Sequence, residues 1–191
     1  SVRNQTAPYW ELCVADDAST DERVKRILLR HMAEDARIRV AFRERNGHIS
    51  AASNTALDLV RGEWCGLVDH DDVLSPLAVA LVRQTLAAHP EAAVLFTDED
   101  RLETDASGAT RRASPGIDPD LLLACNAASH FGVYRTSLLK RLGGFRQGME
   151  GAQDHDLALR CLRAAGPGAF IHLPHVLYHW RMHEDSTSRA I

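Results

Sequence analysis

The sequence predicts an α/β fold: a mixed, mostly parallel sheet flanked by helices, in one domain over residues 1–191. Strand-like and helix-like stretches alternate along the chain, the pattern that builds such a sheet. Several apolar strand stretches run directly into acidic clusters. A length of 191 residues, 45% hydrophobic and 25% charged, suits one soluble domain with a sizeable core.

Trp10 to Ala15 reads as a buried strand. Ser19 or Thr20 then caps a helix reaching about Asp35, with Val24, Ile27 and Leu28 as its apolar stripe. Ile38 to Phe42 is a second strand, Asn46-Gly47 a turn, and Ser50 to Val60 a helix ending near Gly62. Trp64 to Val68 forms a third strand. Ser75-Pro76 opens a helix that runs to His89-Pro90. Ala93 to Thr97 is a fourth strand, followed by a surface loop or small hairpin over 101–119. Phe131 to Tyr134 reads as a strand, followed by a helix to Leu142 closed by Gly143-Gly144. A helix over Asp154 to Ala165 ends at Gly166-Pro167, and two short strands follow near Phe170 and over Val176 to Trp180. Ser1 to Thr6 resembles the end of an element begun earlier, so a segment of a longer protein is expected.

Composition narrows the partners. The formal net charge is -4 and no basic stripe interleaved with aromatics occurs, which argues against nucleic acid. No apolar run approaches the roughly 20 residues that span a bilayer, so no membrane segment is expected here. Cys13, Cys65, Cys125 and Cys161 form no C-x-x-C pair. Cys13, Cys65 and Cys161 lie in apolar runs and read as small core residues. A reducing compartment follows, hence a cytoplasmic domain, or one at the inner face of the membrane through parts outside this stretch.

The acidic clusters carry the chemistry. Asp16-Asp17, Asp69 to Asp72 and Asp98 to Asp100 each follow a predicted strand. Ligands of open α/β sheets bind outside the carboxyl ends of strands, so the three clusters are expected to converge on one rim. Carboxylates packed as in Asp69-His70-Asp71-Asp72 repel one another unless a cation sits among them. Mg²⁺ and Mn²⁺ take such oxygen ligands, commonly one or two carboxylates with substrate phosphates and water. The alternative is a solvated acidic turn. Asp16-Asp17 could hold a cation, accept hydrogen bonds from a base or ribose, or serve as helix-capping acids. Asp154 and Asp156 open a helix whose dipole favours the anion, so they are either ordinary first-turn acids or include a general base. His172, His175, His179 and His183 suggest zinc by spacing, but Pro174, Val176 and Tyr178 favour a strand there.

In order along nearly the whole chain stand Gln5-Thr6 with Trp10-Glu11-Leu12, Val14 to Asp21, Asn46 to Asn54, Asp69-His70-Asp71-Asp72, Thr97-Asp98-Glu99-Asp100, Gly143-Gly144-Phe145-Arg146, Gln153 to Leu157, and Tyr178-His179-Trp180-Arg181-Met182-His183. This ordered set resembles glycosyltransferase family 2, inverting enzymes of GT-A fold, and most of all its bacterial members of O-antigen and surface-polysaccharide assembly. The resemblance implies a nucleotide-diphosphate-sugar donor and a glycan or lipid-linked acceptor. It implies that Asp16 and Asp17 contact the base, and that Arg45, Asn46, Gly47 and Asn54 lie near the nucleotide-sugar. Asp71, with Asp69 or Asp72, would hold Mn²⁺ or Mg²⁺ against the diphosphate. Asp154 would deprotonate the acceptor, and His183, or else His179, would add a metal ligand or touch the diphosphate. Two departures stand out. The family's opening strand with its Pro-x-Tyr-Asn-like stretch is absent, and Gln153 replaces a frequent Glu. Other readings are a catalytically silent nucleotide- and metal-binding domain, or a metal-dependent nucleotidyl- or phosphotransferase. For the latter, the chain offers no G-x-x-x-x-G-K stretch and only Lys25 and Lys140 as lysines.

Overall fold

A computed structural model describes residues 1–105, 108–113, 122, 126 and 131–181. The chain alternates strand and helix as anticipated: β1 (Leu12–Asp16), α1 (Glu22–Glu34), β2 (Ile38–Phe42), α2 (His48–Leu59), β3 (Trp64–Gly66), β4 (Val73–Leu74), α3 (Ala78–Ala88), β5 (Val94–Asp105), β6 (Gly108–Ala113), β7 (Val133–Arg135), α4 (Thr136–Arg141), α5 (Gln153–Ala165) and β8 (Phe170–Arg181).

The strands form two sheets. One is the parallel pair β1–β2; the other runs β3-β7-β5-β8-β4, with β6 paired to β5. The architecture is mixed α/β, but the expectation of mostly parallel pairing needs correction. Only β1–β2 and β5–β8 are parallel among the described ladders, and the other four are antiparallel. In one case the cause is local: β6 is the second arm of a hairpin with β5 and needs no helical crossover, the connection that parallel neighbours need.

Hydrophobic residues cover both faces of the larger sheet. Val94 and Phe96 of β5 pack with Leu57, Tyr134, Leu139, Leu157 and Cys161 on the side of α2, α4 and α5. Leu95 points the other way, to Val82 and Leu86 of α3 and to Val133, Leu173 and Tyr178. A strand covered on both faces reads as an unbroken apolar run, which is why Ala93 to Thr97 is legible as one. Cys161 sits in this core with no exposure, whereas Cys13 and Cys65 are half-buried.

Three of the departures from the expected boundaries have a local cause. The cap of α1 is Asp21, whose carboxylate accepts from the Arg23 amide, not Ser19 or Thr20. The cluster Asp98-Glu99-Asp100 lies inside β5, because β5 continues into the hairpin with β6. The two short C-terminal strands are one strand, β8. Its register against β5 shifts between Thr97 and Glu99, opposite a stretch containing Pro174. Proline has no N–H for the ladder and is accommodated at such a bulge.

β1 and β3 are not hydrogen-bonded to each other, and residues of both line a single cavity of about 1110 Å³. Helix α2 contributes Ser53, Ala56 and Leu57 to its wall, and α3 contributes Val79, Val82 and Leu86.

Candidate functional site

The turn from Asp69 to Asp72 closes through the Asp72 amide, which donates to the Asp69 carbonyl at 3.3 Å. Asp69 and His70 are exposed, whereas Asp71 and Asp72 are partly buried. Asp72 is the anchored member. Its Oδ1 accepts from the Arg181 amide at 2.8 Å and its Oδ2 from the Tyr178 hydroxyl at 2.5 Å. The same hydroxyl accepts from the Asp69 amide at 3.2 Å. Burial pushes the Asp72 carboxyl up; these hydrogen bonds oppose the shift, and the charges of Asp71 and Asp69 add to it. Burial likewise raises the Tyr178 phenol, so it stays a donor. The expectation that Asp72 ligates metal therefore meets a competing use of both its oxygens.

No group of three or more His, Cys, Asp or Glu is assembled for a metal among the described residues. Asp69 and Asp71 supply hard oxygens two residues apart on a partly exposed turn. This donor chemistry fits Mg²⁺ or Mn²⁺ held by one or two carboxylates, with phosphate and water completing the shell.

A second corner lies where β1, β2 and α2 meet. Arg43 Nε lies 2.7 Å from Asp17 Oδ1, and both Asp17 oxygens accept from the Gly47 amide at 3.0 Å. Asn46 Nδ2 donates to the Asp17 carbonyl at 3.1 Å. The Asp16 carbonyl accepts from the Arg43 amide. Arg43 also donates to the Ala51 carbonyl and the Thr55 hydroxyl. Glycine at position 47 leaves room for its neighbours, since a Cβ there would lie 2.9 Å from Ala51 Cβ and 2.6 Å from Arg43 Nη2. Ala18 and His48 on either side of this corner have φ of 60° and 61°, a conformation costly for residues with a side chain. Arg45 is exposed beside it.

Asp154 stands in the first turn of α5. Its Oδ2 accepts from Asn126 Nδ2 at 2.6 Å and its Oδ1 from the His155 amide at 2.8 Å. Its neighbour Asp156 is structural. It pairs with Arg160, which also donates to the Leu142 and Gly144 carbonyls. Asp154, Gln153, Asp69 and Tyr178 line the same cavity. Asp69 and Asp154, from distant parts of the chain, thus both contribute to the wall of this cavity. Asp16, Asp17, Asp71 and Asp72 are not among the lining residues.

Other expected site residues have partners within the fold. The Asn54 amide is engaged by the Phe145 backbone, donating through Nδ2 and accepting at Oδ1, both at 2.8 Å. Asp98 and Asp100 meet histidines of β8: His172 Nε2 at 2.7 Å and His179 Nδ1 at 2.5 Å. These pairs engage Asp98 and Asp100 within the sheet. His183 and Cys125 lie outside the described residues.

Tyr178, Asn126, Arg43 and Glu11 were not singled out individually from sequence. Glu11 Oε1 accepts from the Arg61 and Gly62 amides at 2.7 and 2.8 Å, and Oε2 from Arg39, tying β1 to β2 and to the approach to β3. An acid just ahead of an apolar strand was the available signal for Glu11. An arginine at the end of β2, facing two aspartates at the end of β1, was the signal for Arg43.

This mixed α/β architecture, two sheets layered with helices, is that of GT-A glycosyltransferases of known structure. The chain is similar over its whole length to the S. aureus TarS 1–349 structure in complex with UDP-GlcNAc, with TM-score 0.76 and 20% identity, and it covers 55% of that chain. The mannosyltransferase PcManGT from Pyrobaculum calidifontis, in complex with GDP-Man and Mn2+, matches 99% of this chain and 53% of its own, with TM-score 0.72 and 19% identity. A profile of glycosyl transferase family 2 matches residues 1–143, and the chain belongs to that family. Among sequences, the O-antigen biosynthesis protein RfbC of Myxococcus xanthus is 38% identical over all of this chain and 15% of its own length. The chondroitin synthase of Escherichia coli is 31% identical over 98% of this chain and 27% of its own length. The protein y4gI of Sinorhizobium fredii is 46% identical over the whole chain and 21% of its own length. The chain spans about a fifth of the length of these relatives.

Proposed function

We propose that this chain binds a nucleotide-diphosphate-sugar and, with a divalent metal, transfers the sugar with inversion to an acceptor hydroxyl in bacterial surface-polysaccharide synthesis. The observation that carries this reading is the presence of Asp69 and Asp154 on the wall of one cavity, although 85 positions of sequence separate them. The ligands bound in the two similar solved structures, UDP-GlcNAc and GDP-Man with Mn2+, support the same class of donor.

The corner of Asp17, Arg43, Asn46 and Gly47, with Asp16 and Arg45 beside it, would receive the nucleotide. Its backbone and carboxylate groups are already fixed by one another, which lowers the ordering cost of binding. Asp71, with Asp69, would hold Mn²⁺ or Mg²⁺. Such an ion, when bound, neutralises charge building on a departing diphosphate. Asp154 acts on the other reactant. Held by Asn126, its carboxylate accepts the acceptor's hydroxyl proton as the oxygen attacks the anomeric carbon opposite the nucleotide. One base suffices for inversion, because no second displacement has to be set up. The acceptor is a glycan or a lipid-linked glycan. No helix among the described residues is long and apolar enough to cross a membrane.

The test separates binding from turnover. Sugar nucleotides of uridine and guanosine are screened for thermal stabilisation in Mn²⁺, and transfer is followed by release of nucleoside diphosphate. Replacing Asp154 by Asn should preserve stabilisation and lower turnover by about 10² to 10⁴. Near wild-type turnover in D154N would remove Asp154 from the chemistry. Stabilisation without turnover in both proteins would point to a silent binding domain. Transfer of phosphate or nucleotide in place of sugar would point to the phosphotransferase reading.

A further inference from the structure

The acids of the Asp69–Asp72 turn are not equivalent. Asp72 is tied by both oxygens to β8, through the Tyr178 hydroxyl and the Arg181 amide. Tyr178 is also tied to the other end of the turn, through the Asp69 amide. One phenolic oxygen thus bridges the first and last residues of a four-residue turn, and Asp71 lies between them. The turn continues into β4, where Val73 pairs with His179 and Leu74 with Tyr178. The ring of Tyr178 has no exposure and packs with Leu74, Ala78, Val82 and Leu173. It is a rigid post rooted in the core, and its polar tip emerges under the turn.

We infer that Tyr178 and Asp72 form a positioning clamp, resting on the reading of Asp71 as a metal-holding residue. Tyr178 sets the curvature of the turn and Asp72 fastens it to β8, so the carboxylates of Asp69 and Asp71 are carried on a turn of fixed shape. Asp72 is an anchor and not a metal ligand. The clamp couples the core to the site. Any displacement of β8 moves the turn, because the hydroxyl and the Arg181 amide belong to the same strand.

Tyr178→Phe keeps the ring and its packing and deletes only the bridging oxygen, so the variant tests the bridge apart from the fold. Loss of an outer partner that orients a metal-binding group typically weakens metal affinity by about tenfold to a hundredfold. Mn²⁺ alone is titrated into the 191-residue protein, and its dissociation constant is read from loss of the free-ion electron paramagnetic resonance signal. D71N should abolish the binding, and Y178F and D72N should each weaken it by about tenfold. Amide hydrogen exchange, read by NMR without metal, is the second measurement. Y178F should accelerate exchange at Asp69, and D72N at Arg181, with the core amides of β5 unchanged.

The two readings fail differently. If D71N binds Mn²⁺ as wild type does, the metal assignment is lost, and accelerated exchange at Asp69 and Arg181 still supports the clamp. If D71N loses Mn²⁺ while Y178F keeps both wild-type affinity and wild-type exchange at Asp69, the clamp is overturned. If D72N abolishes binding as completely as D71N, with exchange at Arg181 unaltered, Asp72 is a ligand after all and the division of labour is wrong.

Discussion

The side chain of Asn54 and the backbone of Phe145 satisfy each other, with a donor and an acceptor on each side and both bonds at 2.8 Å. This pairing holds the turn after α4, where Gly143 and Gly144 take φ of 77° and 67°, against the middle of α2. Asn54→Ala leaves two half-buried backbone groups without these partners. It should cost about 1–3 kcal/mol in denaturant unfolding. Gly144→Ala should be at least as harmful, since its Cβ would lie 2.2 Å from Asn54 Oδ1 in a backbone conformation that side chains disfavour. A wild-type midpoint for either variant would remove the pairing from the list of stabilising contacts.

Glu11 gives stability a pH dependence of defined sign. Burial pushes its carboxyl up, but the Arg61 and Gly62 amides and Arg39 outweigh that and hold it below the usual glutamate range. A folded-state value below the unfolded one means the stabilisation is full above about pH 4.3 and is lost as pH falls through the folded value. Glu11→Gln should therefore be less stable than wild type at pH 7, and the gap should shrink in acid below that point. A gap independent of pH between 7 and 3 would contradict the assignment.

The contact of Asn126 with Asp154 predicts a kinetic effect rather than a binding effect. Asn126→Ala frees the carboxylate from its 2.6 Å partner and should lower kcat by up to about a hundredfold, with the donor KM little changed. Steady-state kinetics with varied donor and acceptor distinguish this from a loss of donor affinity. Equal loss in kcat and donor affinity would mean that Asn126 supports the cavity wall and not the base.

Leu157 has no exposure and lies one turn from Asp154, in the core shared by α5, β5 and α2. Leu157→Ala should destabilise by about 2–5 kcal/mol. Because the helix start depends on that packing, turnover should fall at temperatures well below global unfolding. Thermal scans and activity measured in parallel would show whether the two losses separate.

The sequence made the elements legible wherever one period dominated. Ile38 to Phe42 came out at its observed bounds, since a short apolar run between turn signals has few alternatives. β8 read as two pieces because Pro174 interrupts a ladder only when the strand is straight, and a bulge lies beyond the reach of periodicity. The acidic cluster of β5 was displaced for a related reason, as polar residues in the second half of a hairpin strand look like the end of a strand. The site was legible by residue type and not by engagement. Asp69 and Asp154 do share a cavity, but spacing alone could not tell that Asp72 and Asn54 are taken up by Tyr178 and Phe145. Those partners lie 106 and 91 positions away along the chain.

The irregular register between β5 and β8 constrains how this protein can vary. Thr97 faces Leu173 while Glu99 faces Tyr178, so five steps along β8 answer two along β5. Three surplus residues are an odd number, and side chains alternate faces at every step. Removing or adding a single residue between Leu173 and Tyr178 would turn the tyrosine hydroxyl away from Asp72 and send Leu177 or His179 towards it. Substitutions at the exposed His175 should be tolerated, while inserting or deleting one residue of the strand at the same place should not.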